Sequence, residues 1–415
     1  MERLRKIGFS RLTPLEEVLE KLLSRIQLNP IEEININESL NRILATDIIS
    51  RMDIPPFNRS AMDGYAIRAE DSFNASPKNP KKIKYVGAIE IGETSTYKLH
   101  KDEGIKISTG APIPEGADTV IKIEDTEIEN EIIKLYISLP PGKNVSKKGE
   151  DIKLGTQLLN KGTELKAEHI ALLSSLGFNK VKVRIKPKIS VFSSGDELLE
   201  PGTPLQPGKI YNSNTPMIST LIKIYGGRVI RGETIKDNKS VIKNKLIEAA
   251  EDSQIIIFTG GTSVGTKDYL PEIVSETGTI LTHGIAHRPG APILIGYLNE
   301  TLIFCLPGTP VAAYISFLNI TGLTIRKMLG CSALDPRTEV IATISKDVPV
   351  SGLGYLHYLR VTLEKSQEGF IAIPVKLKGS GIISSLTFSD GIVEIPPNQE
   401  GLKKGDTVKV KLFPK

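Results

Sequence analysis

The apolar run Ile255-Ile256-Ile257-Phe258, preceded by Gln254, leads directly into Thr259-Gly260-Gly261-Thr262-Ser263-Val264-Gly265-Thr266-Lys267-Asp268. A short, β-branched, unbroken run of this kind predicts a strand buried on both faces of a parallel sheet. Gly260 and Gly261 reach φ values closed to other residues, so the chain can turn sharply at the strand's carboxyl end, where open α/β sheets bind ligands. The loop matches neither common phosphate fingerprint. Its glycines fall at 260, 261 and 265, which is not G-x-G-x-x-G, and Thr266 stands where a Walker loop needs lysine. Alone, the loop reads either as an anion cradle or as a tight turn.

At 415 residues the chain exceeds one ordinary core and predicts two to four domains. With 40% apolar and 24% charged residues it has a soluble, globular composition. The net charge of +5 is spread out rather than gathered in a basic run, which argues against a nucleic-acid partner. That mild excess suits an anionic substrate and follows equally from a lysine-rich composition. Cys305 and Cys331 are the two cysteines, without a CxxC, so neither a disulfide framework nor a cysteine-ligated metal is expected, and a cytoplasmic location fits. The charged start Met1-Glu2-Arg3-Leu4-Arg5-Lys6 does not read as an export signal. Residues Leu302 to Ile320 approach membrane-span length, but Pro307, Gly308 and Pro310 divide them into strand, turn and buried helix. His283 and His287 have a helical metal-binding spacing, yet Gly284 and Pro289 oppose a helix, and the two read as unrelated.

A first helix is expected over Pro14 to Gln27, with Thr13 and Glu16 as a capping box and Leu15, Val18, Leu19, Leu22 and Ile26 on one face. Short alternating strands broken by Pro and Gly follow from Pro55 to Pro141, then a helix from Lys166 to Leu176 closed by Gly177. Residues 187–330 alternate strand and helix. Strands are expected near Ile189 to Phe192, Arg228 to Ile230, Ile255 to Phe258, Ile293 to Gly296 and Leu302 to Leu306. Helices fit Pro216 to Tyr225 behind Asn214 or Thr215 as cap, Val241 to Glu251 behind Ser240, and Val311 to Leu329. The alternation predicts a three-layer α/β/α domain with a mostly parallel sheet. Beyond Cys331 the pattern is strand and turn, enough for a small barrel. The expected fold is therefore multidomain α/β plus β. It has a discontinuous helical and mixed N-terminal domain (1–54 and 142–186), an inserted small β domain (55–141), a central α/β domain (187–330) and a C-terminal β-barrel (331–415).

Three loops would leave strands of the α/β domain at one edge: Ser193-Ser194-Gly195-Asp196-Glu197, Thr259 to Asp268, and Pro307-Gly308-Thr309-Pro310. Small residues at strand carboxyl ends let backbone N–H groups cradle phosphate, which selects Ser194, Gly195, Gly260, Gly261, Ser263, Gly265 and Gly308 as substrate-binding candidates. Asp196, Glu197 and Asp268 add carboxylates, and carboxylates beside phosphate call for a hard cation such as Mg2+. Asp196 and Glu197 serve equally well as caps. The segment Pro55-Pro56-Phe57-Asn58-Arg59-Ser60-Ala61-Met62-Asp63-Gly64-Tyr65-Ala66 mixes turn formers with functional side chains and reads as a site loop or as a linker. None of the five histidines lies in a motif that would bring it to a nucleophile, so electrostatic and metal-assisted work on an anion is the chemistry these residues suit.

The segments 55–66, Ser-Thr-Gly-Ala-Pro-Ile-Pro-Glu-Gly-Ala-Asp at 108–118, Gly-Glu-Asp-Ile at 149–152, Ser-Ser-Gly-Asp-Glu-Leu at 193–198, Gly-Gly-Thr-Ser-Val-Gly at 260–265 and Leu-Pro-Gly-Thr-Pro-Val at 306–311 occur in that order. Together they resemble the molybdopterin molybdenumtransferase family, the MoeA type that includes the gephyrin E domain. The resemblance covers nearly the whole chain, with Lys378-Gly379-Ser380-Gly381 fitting as well. It implies four sub-domains, an elongated homodimer and a cleft near the dimer interface. It also implies a small-molecule reaction, in which adenylylated molybdopterin receives molybdate or tungstate and AMP is released with Mg2+ present. By motif match it carries function onto Asp63, Thr109, Asp151, Glu197, Asp237, Asp268, Arg288, Pro307, Pro310 and Ser380. Ala291 stands where many members place a lysine and Gly284 where bacterial members often do, leaving Arg288, His287 or Arg59 to supply positive charge. Asn58 replaces a common Asp, and the choice between molybdate and tungstate stays open. The alternative enzyme reading is that this chain carries out the preceding step, the adenylylation of molybdopterin, which a related α/β domain performs; a binding scaffold is the non-catalytic one. Under the metal-insertion reading the resemblance makes the adenylyltransferase a partner. Neither a nucleic-acid nor a membrane partner is implied.

Overall fold

The computed structural model describes residues 12–93, 96–261, 269–375 and 379–414. They form two compact units. One takes the described residues up to Thr46, Lys161–Ala167 and those from Lys180 onward; the other takes Asp47–Asn160 and Glu168–Asn179.

The first unit is organised by a six-stranded sheet of β1 (Lys188–Ser194), β2 (Arg228–Ile235), β3 (Ile255–Thr259), β4 (Thr279–His283), β5 (Leu294–Leu298) and β6 (Thr301–Leu306), in spatial order β2-β1-β3-β6-β5-β4. Successive residues of β3 feed opposite cores: Ile255 and Ile257 pack on one face, Ile256 and Phe258 on the other. Helix α1 (Asn214–Ile224) covers the first face with Ile218, Leu221 and Ile222. Helices α2 (Lys239–Ala250) and α3 (Tyr269–Thr277) cover the second, through Ile242 and Leu246 and through Leu270 and Ile273. Both faces are closed, which explains why this strand is apolar at every position.

β2, β1, β3 and β6 run parallel, as the alternation predicts, but β5 and β4 do not follow that rule. β5 pairs antiparallel with β6 through a two-residue turn, with Leu298 opposite Thr301 and Asn299 at φ 54. Two residues cannot carry a parallel crossover, so the hairpin is dictated by its length. β4 then adds antiparallel to β5. The segment after β6 is helical at Pro310–Ser316 (α4), widens to a π turn at Phe317–Thr321 and resumes at Gly322–Met328.

Helix starts differ from the sequence reading in three places. Pro14 precedes the helix Leu15–Leu23 with no side-chain cap, because Thr13 bridges to Ile285 instead, its N–H donating to Gly284 O at 3.1 Å. Asn238 rather than Ser240 caps α2, accepting from the N–H groups of Ser240 and Val241 at 3.0 and 3.2 Å. Asn214 and Thr215 do not cap α1; both side chains are used elsewhere.

In the same unit, Glu339–Ile344, Leu356–Ser366, Gly369–Pro374, Gly391–Ile395 and Thr407–Leu412 close into a five-stranded barrel, the closure being the antiparallel pairing of Leu356–Ser366 with Gly391–Ile395. The short strand His287–Arg288 joins its edge, opposite Leu356 and His357. The second unit carries the inserted β domain, a six-stranded sheet in the order 119–122, 64–67, 103–107, 81–89, 132–135, 126–129. It also holds the greater part of the helix Ala167–Ser175, which ends before Gly177 at φ 76.

Candidate functional site

Side chains at the carboxyl ends of β1, β3 and β6 line one cavity of about 1100 Å3 in the first unit. Ser194 and Gly195 come from the end of β1, Thr259, Gly260 and Gly261 from the end of β3, and Pro307, Gly308 and Pro310 from the turn after β6. The three loops that the sequence places at one edge are thus in contact. Their backbones are too close for side chains: a Cβ on Gly260 would lie 2.6 Å from Ser194 O, and one on Gly308 would lie 3.3 Å from Gly260 Cα. Gly260 and Gly261 have φ 94 and φ 63, a region that favours glycine.

Beneath the loops lies a polar network that local sequence patterns do not reveal. The Ser193 hydroxyl is 2.7 Å from both Thr215 Oγ1 and Thr259 Oγ1. Asn212 donates to Thr215 Oγ1 at 2.9 Å and Thr234 Oγ1 at 2.7 Å, and accepts from Thr215 N at 3.1 Å. Asn214 donates to Gly308 O at 2.8 Å, joining the start of α1 to the turn after β6. The buried Ser194 Oγ and Asn214 Oδ1 have no hydrogen-bond partner among the described residues. Such groups cost free energy unless a ligand or water satisfies them. The Asn212-Ser213-Asn214 run carries a signal, but as a helix start rather than as a cavity floor.

Glu197 and Asp237 put carboxylates on the cavity. Glu197 folds back over Gly195, where a Cβ would sit 2.8 Å from each of its carboxylate oxygens. Asp196 is exposed; its side chain accepts from Asp237 N at 3.4 Å and its carbonyl from Lys209 Nζ at 2.5 Å. Among the described residues no three His, Cys, Asp or Glu side chains converge at metal-ligating spacing. Asp268, Ser263 and Gly265 lie outside the described residues.

A second cavity, about 620 Å3, is lined by Arg288, Ser351, His357, Arg360 and Ser380. Ser380 also lines the first cavity, so the two adjoin there. Arg288 stacks 3.9 Å from the centroid of the Tyr355 ring and donates to Ser351 Oγ at 3.0 Å. Arg360 is buried, and burial lowers its guanidinium pKa.

His287 cannot supply the positive charge that Ala291 lacks. It is fully buried against Tyr358, with ring centroids 5.7 Å apart, and Nε2 donates to Gly290 O at 3.0 Å. Burial pushes its pKa down to about 4, so it is neutral near pH 7. Because the folded value lies below the unfolded one, the unfolded chain binds more protons between about pH 6.5 and 4, and stability falls as pH drops through that window. The expected loss is about 3 kcal/mol, at roughly 1.4 kcal/mol per pH unit. Urea unfolding at pH 7 and pH 4.5 should show His287→Gln losing less stability on acidification than the parent protein; equal losses would contradict the neutral buried state.

In the second unit three loops meet: residues 54–63, 108–113 and 144–152. Ser60 N donates to Ala111 O at 2.9 Å, Ala61 N to Asn144 O at 2.9 Å, and Gly149 N to Pro55 O at 2.9 Å. Asn58, where an Asp is common in the resembling family, accepts from Lys148 N at 2.8 Å. Asp63 Oδ1 accepts from Thr109 N at 2.7 Å and Thr109 Oγ1 at 2.9 Å. The Thr109 N–H first, then its hydroxyl, with the Lys106 charge adding, hold the Asp63 carboxyl below its ordinary value. Asp151 is exposed, and its N–H donates to Ile54 O at 3.1 Å. Asp63, Thr109 and Asp151 thus stand on one bonded set of loops.

Known families and structures agree with this architecture. Residues 13–177 match the MoeA N-terminal region (domain I and II), 190–326 the probable molybdopterin binding domain, and 349–413 the MoeA C-terminal region (domain IV). A molybdopterin molybdenumtransferase of Staphylococcus epidermidis is 35% identical over 403 residues, covering 96% of this chain and 95% of the relative. One from Staphylococcus aureus is 33% identical over 399 residues, covering 96% and 94%. The crystal structure of a molybdopterin biosynthesis MoeA protein from Pyrococcus horikoshii superposes with a TM-score of 0.85 at 38% identity, covering 97% of this chain and 99% of the other. The chain belongs to the MoeA family and is an enzyme of the molybdopterin molybdenumtransferase type.

Proposed function

We propose that this enzyme inserts molybdate or tungstate into adenylylated molybdopterin, with Mg2+-dependent release of AMP. The observation that carries the reading is the adjoining of two unlike cavities at Ser380, one floored by glycine loops and hydroxyls and one lined by two arginines. The first suits a phosphate-bearing ligand. The Ser194 hydroxyl, which has no hydrogen-bond partner among the described residues, supplies a neutral donor for a phosphate oxygen, and the absence of side chains on Gly195, Gly260 and Gly261 lets the ligand approach the backbone closely. The second suits a small tetrahedral oxyanion between Arg288 and Arg360, with Ser380 at the junction. An oxyanion there would lie next to the ligand that receives it, which is the proximity the reaction needs.

Glu197 and Asp237 fit a hard cation by donor type, since Mg2+ is commonly held by one or two carboxylates together with substrate phosphates. When bound, Mg2+ supplies charge neutralisation at the phosphate link. The protein's own part is to orient that link, to fix Glu197 over Gly195, and to hold Asp63 ionised through Thr109. The same reading carries a homodimer, a cytoplasmic location and receipt of substrate from the adenylyltransferase of the preceding step.

Incubation of the pure protein with adenylylated molybdopterin, Mg2+ and either oxyanion should release AMP. No AMP with either oxyanion overturns the proposal, and ATP consumption with pyrophosphate release would point to adenylylation instead.

A further inference from the structure

Between β1 and α1 the chain makes an excursion over residues 195–212, both ends of which line the first cavity. It is a built flap. Leu198–Leu199 runs parallel to Ile210–Tyr211, with Ile210 N donating to Glu197 O at 2.9 Å and Asn212 N to Leu199 O at 2.8 Å. The Tyr211 hydroxyl donates to Thr203 O at 2.7 Å, which fixes the ring's position across the flap.

This flap holds apolar side chains in water. Ile210 is 57% exposed and Tyr211 42% exposed, and both line the first cavity. Ile383, from the loop near Ser380, is another exposed apolar group on the same cavity. Meanwhile the buried lining residues Thr259, Asn212 and Ser194 are polar, beside the small apolar Ala312. Large apolar side chains thus share the exposed part of the lining with Glu197, while hydroxyl and amide groups stand at the buried part. Such a cavity fits a ligand that inserts an anionic end first and leaves a flat, apolar-faced end at the rim.

We propose that Tyr211, supported by Ile210, is the seat for the flat heteroaromatic ring of the bound substrate and a specificity-determining residue of this enzyme. The inference rests on the reading of the first cavity as a site for a phosphate-bearing ligand. A hydrogen-bonded tyrosine presents a large ring at little entropic cost, and stacking of one heterocycle on one aromatic side chain is strong enough to measure by alanine substitution. Adenine and pterin share this chemistry, and either can be the ring that occupies the seat.

The test is equilibrium binding of AMP, molybdopterin and ribose 5-phosphate to the parent protein, Tyr211→Phe and Tyr211→Ala, with unfolding midpoints as a check on folding. Tyr211→Ala should weaken AMP or molybdopterin about tenfold and leave ribose 5-phosphate unchanged, whereas Tyr211→Phe should stay within about threefold of the parent. A loss confined to AMP assigns the seat to adenine, and one confined to molybdopterin assigns it to the pterin. Parent-like binding of both ring-bearing ligands by Tyr211→Ala overturns the ring seat while leaving the cavity reading intact. So does an equal loss for ribose 5-phosphate, which would mark a general role of the flap. If the parent protein binds none of the three, the cavity reading falls and the ring seat falls with it.

Discussion

Gly260→Ala is expected to lose at least about 100-fold in turnover and about 2–4 kcal/mol in stability. Two separate penalties combine. At φ 94 an alanine adopts a backbone conformation that L-residues avoid, which costs roughly 1–2 kcal/mol. Its Cβ would also sit 2.6 Å from Ser194 O, a backbone atom at the end of β1 that cannot rotate away. Relief requires the β1 and β3 ends to separate, and a shift of roughly 1 Å at the ligand cradle costs about 100-fold in rate. Gly405→Ala separates the penalties, because Gly405 has φ 93 but no atom within 4 Å of its Cβ position. It should lose about 1–2 kcal/mol and keep its activity. Gly308→Ala, outside the positive-φ region and with its nearest neighbour at 3.3 Å, should lose less stability and less activity than Gly260→Ala. Urea unfolding and AMP release read the two penalties independently. Equal behaviour of Gly260→Ala and Gly405→Ala in both assays would refute the close-approach argument.

The same glycine shows why part of this protein was legible in its sequence. Ile255 to Phe258 reads as a two-faced strand because each residue meets an apolar layer, and the core on either side bears that out. Glycine and proline at strand ends are informative because they act on the backbone of their own segment. Hence the Ser194, Gly260 and Pro307 loops are legible from local sequence alone. The edge of the sheet was harder. Ile293 to Gly296 and Leu302 to Leu306 read as strands, but alternation alone suggests parallel neighbours where the two-residue Asn299-Glu300 turn allows only a hairpin.

Side-chain roles that depend on distant partners were not legible. Asn214 looks like a helix cap, and its actual partner, the carbonyl of Gly308, is 94 residues away. Asn212 likewise meets Thr234 across 22 residues. His287 reads as a basic residue beside Arg288, and only its complete burial, against Tyr358, makes it neutral, over the opposing pull of the Gly290 carbonyl. Tyr211 carries no motif at all; its interest arises from being exposed, anchored and on the cavity at once.

Asp63→Ala is expected to lower AMP release at least about 100-fold without loss of fold, the scale typical of a carboxylate that acts on the reacting group. The side chain is exposed and no core contact depends on it, so the unfolding midpoint should scarcely move. Its geometry is nonetheless held: two donors from Thr109 converge on one oxygen. Those donors also favour the ionised form, so the carboxylate keeps its charge throughout the neutral range and protonates only below its ordinary value of 3.8. Asp63→Asn preserves shape and the ability to accept from Thr109, and therefore isolates the charge. If the negative charge does the work, Asn should be nearly as impaired as Ala. If positioning alone matters, Asn should retain most activity. Thr109→Ala removes the hydroxyl but keeps the backbone N–H, the stronger influence on Asp63, and should cost only about 3- to 10-fold. Parent-like turnover in folded Asp63→Ala would remove Asp63 from the chemistry and reduce the three bonded loops around it to a structural joint.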